Sequence, residues 1–226
     1  MIKGVVFDLD GLMIDSEPLA LEAWQISLAP FGARLSDAQY RYLIGVSHDT
    51  SLRYIADHAS IGIPVDEFAA IYHGNLMSLI DSDRLQPMPG LLPLLDAFAA
   101  RGYALGIASN SSAEHVRRAT ARIGITARFG CMVSAEEVTH GKPAPDVYLE
   151  AARQLGLAPA CCLAFEDSPS GVQAAQAADM YCVFVPNPDL DMTSLDGVED
   201  VHPSLIACYA ALDGIVQRAS RRNGCV

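Results

Sequence analysis

Lysine is almost missing from this chain. Of its 226 residues only Lys3 and Lys142 are lysines, and 15 Lys and Arg stand against 27 Asp and Glu, a formal net charge of −12. Nucleic acid and anionic membrane surfaces both need basic patches, so neither is expected as a partner; Arg221-Arg222 in the tail is no more than a basic pair. Long apolar runs are missing too. The first, Val5-Val6-Phe7, stops at Asp8, too short for the core of a secretory signal, and no later stretch approaches the ~20 residues of a membrane span. A cytoplasmic location is expected. The six cysteines contain no C-x-x-C pair and most fall in apolar strand-like runs, so buried reduced thiols are expected. There is no low-complexity tract, and the length suffices for one large domain or a core with a smaller module.

What is present is an alternation of short apolar runs and helical periodicity. Val5-Val6-Phe7, Tyr103 to Ala108, Cys131 to Val133, Cys161 to Phe165 and Cys182 to Val185 suit five buried parallel strands. Helices are expected between the later ones, at Ala113 to Ile123, Pro145 to Leu155 and Gly171 to Ala178. Residues 15–85 lack any such strand. Four helical pieces fit there, one begun by Asp15 or Ser16 with Pro18 in its first turn and one by the capping box Ser36-Asp37-Ala38-Gln39. The expected architecture is α/β: a Rossmann-like parallel core with helices on both faces, formed by residues 1–14 and 86–226, plus an inserted four-helix cap at 15–85. The insertion leaves and returns near the strand ends, where a lid would sit.

Ligands in open α/β sheets bind outside the carboxyl ends of the strands. The residues found there are Asp8 and Asp10, Ser109 and Asn110, and Glu166 and Asp167, with Lys142 in the loop before the Pro145 helix. Two acids two residues apart can divide labour, one as nucleophile or metal ligand and the other as proton carrier. Gathered with Glu166 and Asp167, they suit a hard divalent cation such as Mg²⁺. Ser109 to Ser112 precede a helix, whose start favours an anion. Lys3 begins the strand that ends at Asp8, about 16 Å away at a rise of about 3.3 Å per residue. Lys142 is thus the one lysine available. Each loop alone could be an ordinary cap or turn; four of them on one sheet edge are harder to dismiss.

These residues resemble the haloacid dehalogenase-like hydrolase superfamily, in the subgroup with a helical cap after the first motif that includes sugar phosphatases and β-phosphoglucomutases. The resemblance spans essentially the whole chain. It rests on Phe7-Asp8-Leu9-Asp10-Gly11, Ser109-Asn110, Lys142 in Gly141-Lys142-Pro143-Ala144-Pro145-Asp146, and Phe165-Glu166-Asp167-Ser168 with Gly171. It implies that Asp8 attacks phosphorus to form an aspartyl-phosphate, and that Asp10 protonates the leaving alkoxide and then activates water. It also implies Mg²⁺ held by the Asp8 carboxylate, the Asp10 backbone carbonyl and Asp167 with help from Glu166, and phosphoryl oxygens held by Ser109, the Asn110 amide and Lys142.

Within the superfamily, Asp10 with Glu166-Asp167 argues against metal-free dehalogenation, and the lack of lysine between Asp15 and Leu85 removes Schiff-base phosphonate chemistry. Gly45-Val46-Ser47-His48 resembles the β-phosphoglucomutase stretch that contacts substrate, but an arginine there is replaced by His48. A neutral imidazole offers less than a guanidinium fork, although Arg41 or Arg53 could substitute. Gly45, Ser47 and His48 are therefore candidate substrate contacts, and a phosphatase acting on a small phosphorylated metabolite, a sugar phosphate, is favoured over the mutase. A phosphometabolite-binding regulator with vestigial chemistry is the alternative of another class. A monomer is expected. His115, His140 and His202 lack metal-ligand spacing and are expected to be structural, as is Trp24, packing the cap helices.

Overall fold

The computed structural model describes residues 1–44, 48–59, 61–187, 195, 197–198 and 200–222, with backbone alone at 48 and 49. One parallel sheet holds β1 (Gly4–Phe7), β2 (Ala104–Ser109), β3 (Cys131–Ser134), β4 (Cys162–Glu166), β5 (Tyr181–Phe184) and β6 (Asp200–Val201), in the order β3-β2-β1-β4-β5-β6. The first five match the five apolar runs. β6 is an addition, and at two residues beginning with Asp200 it is too short and polar for periodicity to reveal.

The crossovers are α5 (Leu91–Ala100), α6 (Ala113–Arg122), α7 (Asp146–Gln154) and α8 (Pro169–Ala177), with α9 (Leu205–Ala210) and α10 (Leu212–Arg222) closing the chain. Side chains alternate across a strand, so β1 feeds two layers. Val5 and Phe7 pack with Phe98, Val116, Leu205 and Ile215, from α5, α6, α9 and α10. Val6 faces the other way, toward Val147 and Ala151 of α7 and Val172 of α8. This is a Rossmann-like three-layer core. The chain runs from β1 outward through β2 to β3, then crosses back to β4 on the other flank of β1. Such a reversal leaves a crevice at the carboxyl ends of β1 and β4, the place where these sheets bind ligands.

Between β1 and α5 come α1 (Glu17–Leu28), α2 (Asp37–Leu43), α3 (His48–His58) and α4 (Val65–Ile80). They share an apolar cluster of their own, with Leu28, Leu43, Ile55 and Phe68 around Trp24, whose ring stacks on Tyr72 at 3.7 Å between centroids. The Ser36 and Gln39 capping box forms with both arms in place and starts α2. α3 begins at His48. The outgoing and returning segments lie side by side: the Met88 N–H donates to the Met13 carbonyl at 2.9 Å and the Asp15 N–H to Gln86 at 3.1 Å. Leu19 of α1 and Ile80 of α4 reach into the sheet-side core, so the four helices stand against the strand ends.

Cys131, Cys162, Cys182 and Cys208 are buried free thiols, as expected. Cys161 departs from that pattern and is disulfide-bonded. It closes the short 3-10 turn Pro159–Cys161, half-buried and outside the strand that shields its neighbour Cys162. Among the described residues no helix is long and apolar enough to cross a membrane.

Candidate active site

The register of the sheet sets the floor of the site. Phe7 is level with Ile107 on one side and Phe165 on the other, so the next residues outward, Asp8 and Glu166, emerge beside each other. Lys142 bridges them. Its ammonium donates to Asp8 Oδ1 and, at 2.5 Å, to Glu166 Oε1, and Lys142 and Asp8 are only 7% and 8% exposed. Glu166 has no exposed surface and is held by further donors: the Tyr148 hydroxyl at 2.6 Å, the Asp167 N–H at 3.1 Å and Ser168 Oγ at 3.3 Å. A Cβ on Gly171 would meet the Glu166 carboxylate at 1.9 Å, so α8 can pass this acid only with glycine there. Gly11 is confined twice over, by φ +77° and by Asp167 Oδ2, 2.2 Å from any Cβ.

Asp167 accepts from Asn187 Nδ2 at 3.2 Å. Oxygens of Asp8, Glu166 and Asp167 all lie within 4.8 Å of one another. Three buried carboxylates facing one ammonium leave excess negative charge, and the acids respond. Burial pushes Asp8 up to about 8, with Lys142 pulling it down and Glu166 pushing it up. Burial, then Asp8 and Glu166, raises Asp167 well above the carboxylate range. Burial alone would lower Lys142, yet the same two acids carry it above its ordinary value.

Asp10 belongs to a different network. Its carboxylate turns away from that cluster and accepts from Ser111 Oγ at 2.7 Å, while Oδ1 lies 2.8 Å from His115 Nε2. Burial works against its ionisation, but the His115 charge and hydrogen bonds from His115, Ser111 and Ser16 prevail and hold it at about 2. Burial pulls His115 down, and Asp10 more than offsets this. Two acids two residues apart thus sit in opposite environments, one raised and one lowered.

Ser109 ends β2 and accepts from the Ser111 N–H at 3.0 Å. The Asn110 side chain clamps the lysine loop, its Oδ1 accepting from the Lys142 N–H at 2.7 Å and its Nδ2 donating to the Lys142 carbonyl at 3.2 Å. Asp8, Asp10, Ser109, Asn110, Lys142 and Asp167 all line one cavity of about 570 Å³, roofed by α1, α2 and α4. Gly45 and Ser47 lie outside the described residues. So does the side chain of His48, whose backbone starts α3.

A model of the haloacid dehalogenase-like hydrolases matches residues 2–179. The chain belongs to this family. It is 34% identical over 206 residues to the probable pseudouridine-5'-phosphatase of Drosophila melanogaster, covering 88% of each chain. It is 32% identical over 203 residues to hexitol phosphatase A of Escherichia coli, covering 90% of this chain and 91% of that one. Its fold is similar to that of β-phosphoglucomutase from Clostridium difficile, with a TM-score of 0.82 and 23% identity over 98% of this chain and 99% of that one. The chain is accordingly an enzyme of the phosphatase type.

Sequence reasoning missed several residues of this hydrolase's site. His115, expected to be structural, holds Asp10 from the first turn of α6, which rises from the strand edge. Its signal was position, three residues after the Ser112 cap. Tyr148 and Asn187 touch the carboxylates from the first turn of α7 and from beyond β5. Trp24 does pack the helices, at 3% exposure, and also lines the cavity.

Proposed function

We propose that this hydrolase is a Mg²⁺-dependent phosphatase acting on a small phosphorylated metabolite, a sugar phosphate, through an aspartyl-phosphate on Asp8. The observation that carries the reading is the convergence of Asp8, Lys142 and Asp167 from three separate loops on one cavity, with Glu166 buried against Lys142. We divide the chain into a catalytic core, residues 1–14 and 86–226, and a cap, residues 15–85. The separate apolar cluster around Trp24 supports that division.

The donor set fits the metal: oxygens alone, from three acids, two of them with raised pKa values that a cation would relieve. Asp8, Asp167, Glu166 and the Asp10 backbone carbonyl would hold it. Bound there, Mg²⁺ supplies positive charge that lets an anionic nucleophile approach an anionic phosphoryl group. The rest falls to the protein. Lys142 fixes the Asp8 carboxylate in place and, with Ser109 Oγ and the Asn110 N–H, offers donors to the phosphoryl oxygens as charge moves onto them. Asp10 and His115 together carry one transferable proton: the leaving alkoxide needs it, and the water that cleaves the intermediate gives it back.

Release of inorganic phosphate from a panel of phosphorylated metabolites, with Mg²⁺ present, tests this. Turnover that persists in Asp8→Asn sinks the nucleophile assignment. Conversion of β-glucose 1-phosphate to the 6-phosphate, given a bisphosphate primer, faster than phosphate appears would make the enzyme a mutase. Binding of phosphometabolites with no turnover would make it a regulator.

A further inference from the structure

Tyr148 carries a hydroxyl where packing asks only for a ring. It stands in the first turn of α7, a few residues after Lys142, and is wholly buried in the layer that holds Val6, Ala164 and Phe184. A phenol hydroxyl buried there costs desolvation unless it is partnered, and its partner is a charge: it donates to Glu166 Oε1 at 2.6 Å. That same oxygen accepts from the Lys142 ammonium at 2.5 Å. The Tyr148 ring in turn lies beneath the ammonium, with 5.0 Å between the nitrogen and the ring centroid. One side chain thus touches both members of the Lys142 and Glu166 pair, one through its face and the other through its hydroxyl.

The consequence falls on Lys142. A lysine ends in a compact point charge on a flexible stem and, unlike a guanidinium fork, imposes no direction on its partners, so its place must be set by what surrounds it. Asn110 fixes the backbone of the loop through the Lys142 N–H and carbonyl. The far end is set by Asp8, Glu166 and the ring. Asp8 is the group that would react, and Glu166 can hold the ammonium still only if it is itself held. Its Oε2 accepts from the Asp167 N–H and Ser168 Oγ. On Oε1, among the described residues, the tyrosine is the one donor besides the lysine.

We propose that Tyr148 is a positioning residue: its hydroxyl fixes Glu166 Oε1, its ring supports the ammonium, and together they aim Lys142 at Asp8. The effect on turnover rests on the phosphatase reading above; the placement of Lys142 does not depend on it.

Tyr148→Phe keeps the ring and removes the hydroxyl, and Tyr148→Leu removes both. Because Lys3 and Lys142 are the only lysines, isotope-labelled lysine gives one exposed and one buried set of side-chain resonances in the full chain. In Mg²⁺-free buffer the Lys142 Cε protons should lie upfield of those of Lys3, displaced by the ring current of Tyr148. Tyr148→Phe should keep that displacement and move the Lys142 Nζ resonance, whereas Tyr148→Leu should abolish the displacement. An Nζ resonance unmoved in Tyr148→Phe overturns the proposal. On the metabolite turned over fastest in the phosphate-release panel, with Mg²⁺, Tyr148→Phe should lower kcat by about tenfold and leave KM within about twofold. In a Lys142→Met background the same substitution should change kcat by less than about twofold, because the residue it acts through is gone; a merely structural tyrosine would cost the same in both. An equal loss in the two backgrounds, or no loss in the wild type, also overturns the proposal. No phosphate from any metabolite sinks the phosphatase reading, and the Nζ resonance then decides the placement of Lys142 by itself.

Discussion

The floor and the roof of the cavity are built on opposite principles. On the floor, at the ends of β1 and β4, charged groups are buried and each is fixed by several partners: Lys142 by two carboxylates, Glu166 by an ammonium, a phenol, a backbone N–H and a hydroxyl. On the roof, α1, α2 and α4 present rings, aliphatic side chains and one acid paired to a tyrosine. A rigid, charge-dense floor suits a reaction whose catalysis is positioning and electrostatics. A largely apolar roof carrying one acid suits discrimination among leaving groups. If the floor carries the chemistry, as proposed, and the roof selects the substrate, substitutions on the two should have different signatures.

The largest effect should come from Asp8→Asn, which removes the proposed nucleophile while keeping its shape. Turnover should fall by on the order of 10⁴-fold or more. Stability in Mg²⁺-free buffer should hold or rise, because an amide beside Glu166 and Asp167 relieves repulsion; a lowered melting temperature would contradict the description of this cluster as electrostatically overloaded. Lys142→Met acts in the other direction. Activity should drop by about 10²–10³-fold, the loss typical of removing one oxyanion donor. Leaving Asp8 and Glu166 without their cation should also cost about 3–5 kcal/mol by urea titration in Mg²⁺-free buffer. No change in stability would mean that the acids accept protons at no penalty.

The floor was legible in the sequence for reasons the structure makes plain. A buried strand must end, and its last residue or the one after it lands at the sheet edge, so Asp8, Ser109 and Glu166 could be placed from apolar runs alone. Lys142 was identified by scarcity. The contacts that turn these residues into a site were not legible, because they come from side chains whose sequence context looks ordinary. His115 is a helical residue among helical residues, and only the rise of α6 from the edge of β2 aims it at Asp10. Glu17 is an acid in a first helical turn, a place where acids are common for dipole reasons, and its partner Tyr40 lies 23 residues on. Long-range packing decides both, and periodicity carries no information about it.

His115→Gln probes the link between those two levels. Asp10 would lose its charged partner but keep a donor, so kcat should fall by about tenfold, with its pH profile displaced. The stability effect has a definite sign. The folded His115 has its pKa raised above the ordinary value of 6.5. Its contribution is therefore fully present below about 6.5 and is lost as pH rises through the folded value. Wild type should exceed the variant by about 2 kcal/mol in acid, narrowing toward alkaline pH. A gap that widens with pH would show that His115 is held neutral.

The smallest effect belongs to the roof's own scaffold. Ser36→Ala removes the hydroxyl arm of the capping box that starts α2, far from the reacting atoms, while α2 carries Tyr40 and Leu43 into the cavity wall. The loss should be about 1 kcal/mol. If roof and floor are separable, that loss should appear locally, as amide exchange in α2 about fivefold faster, with exchange in β1 and β4 unchanged. Uniformly faster exchange through the strands would instead mean that roof and floor unfold as one unit, and the contrast between them would be chemical without being structural.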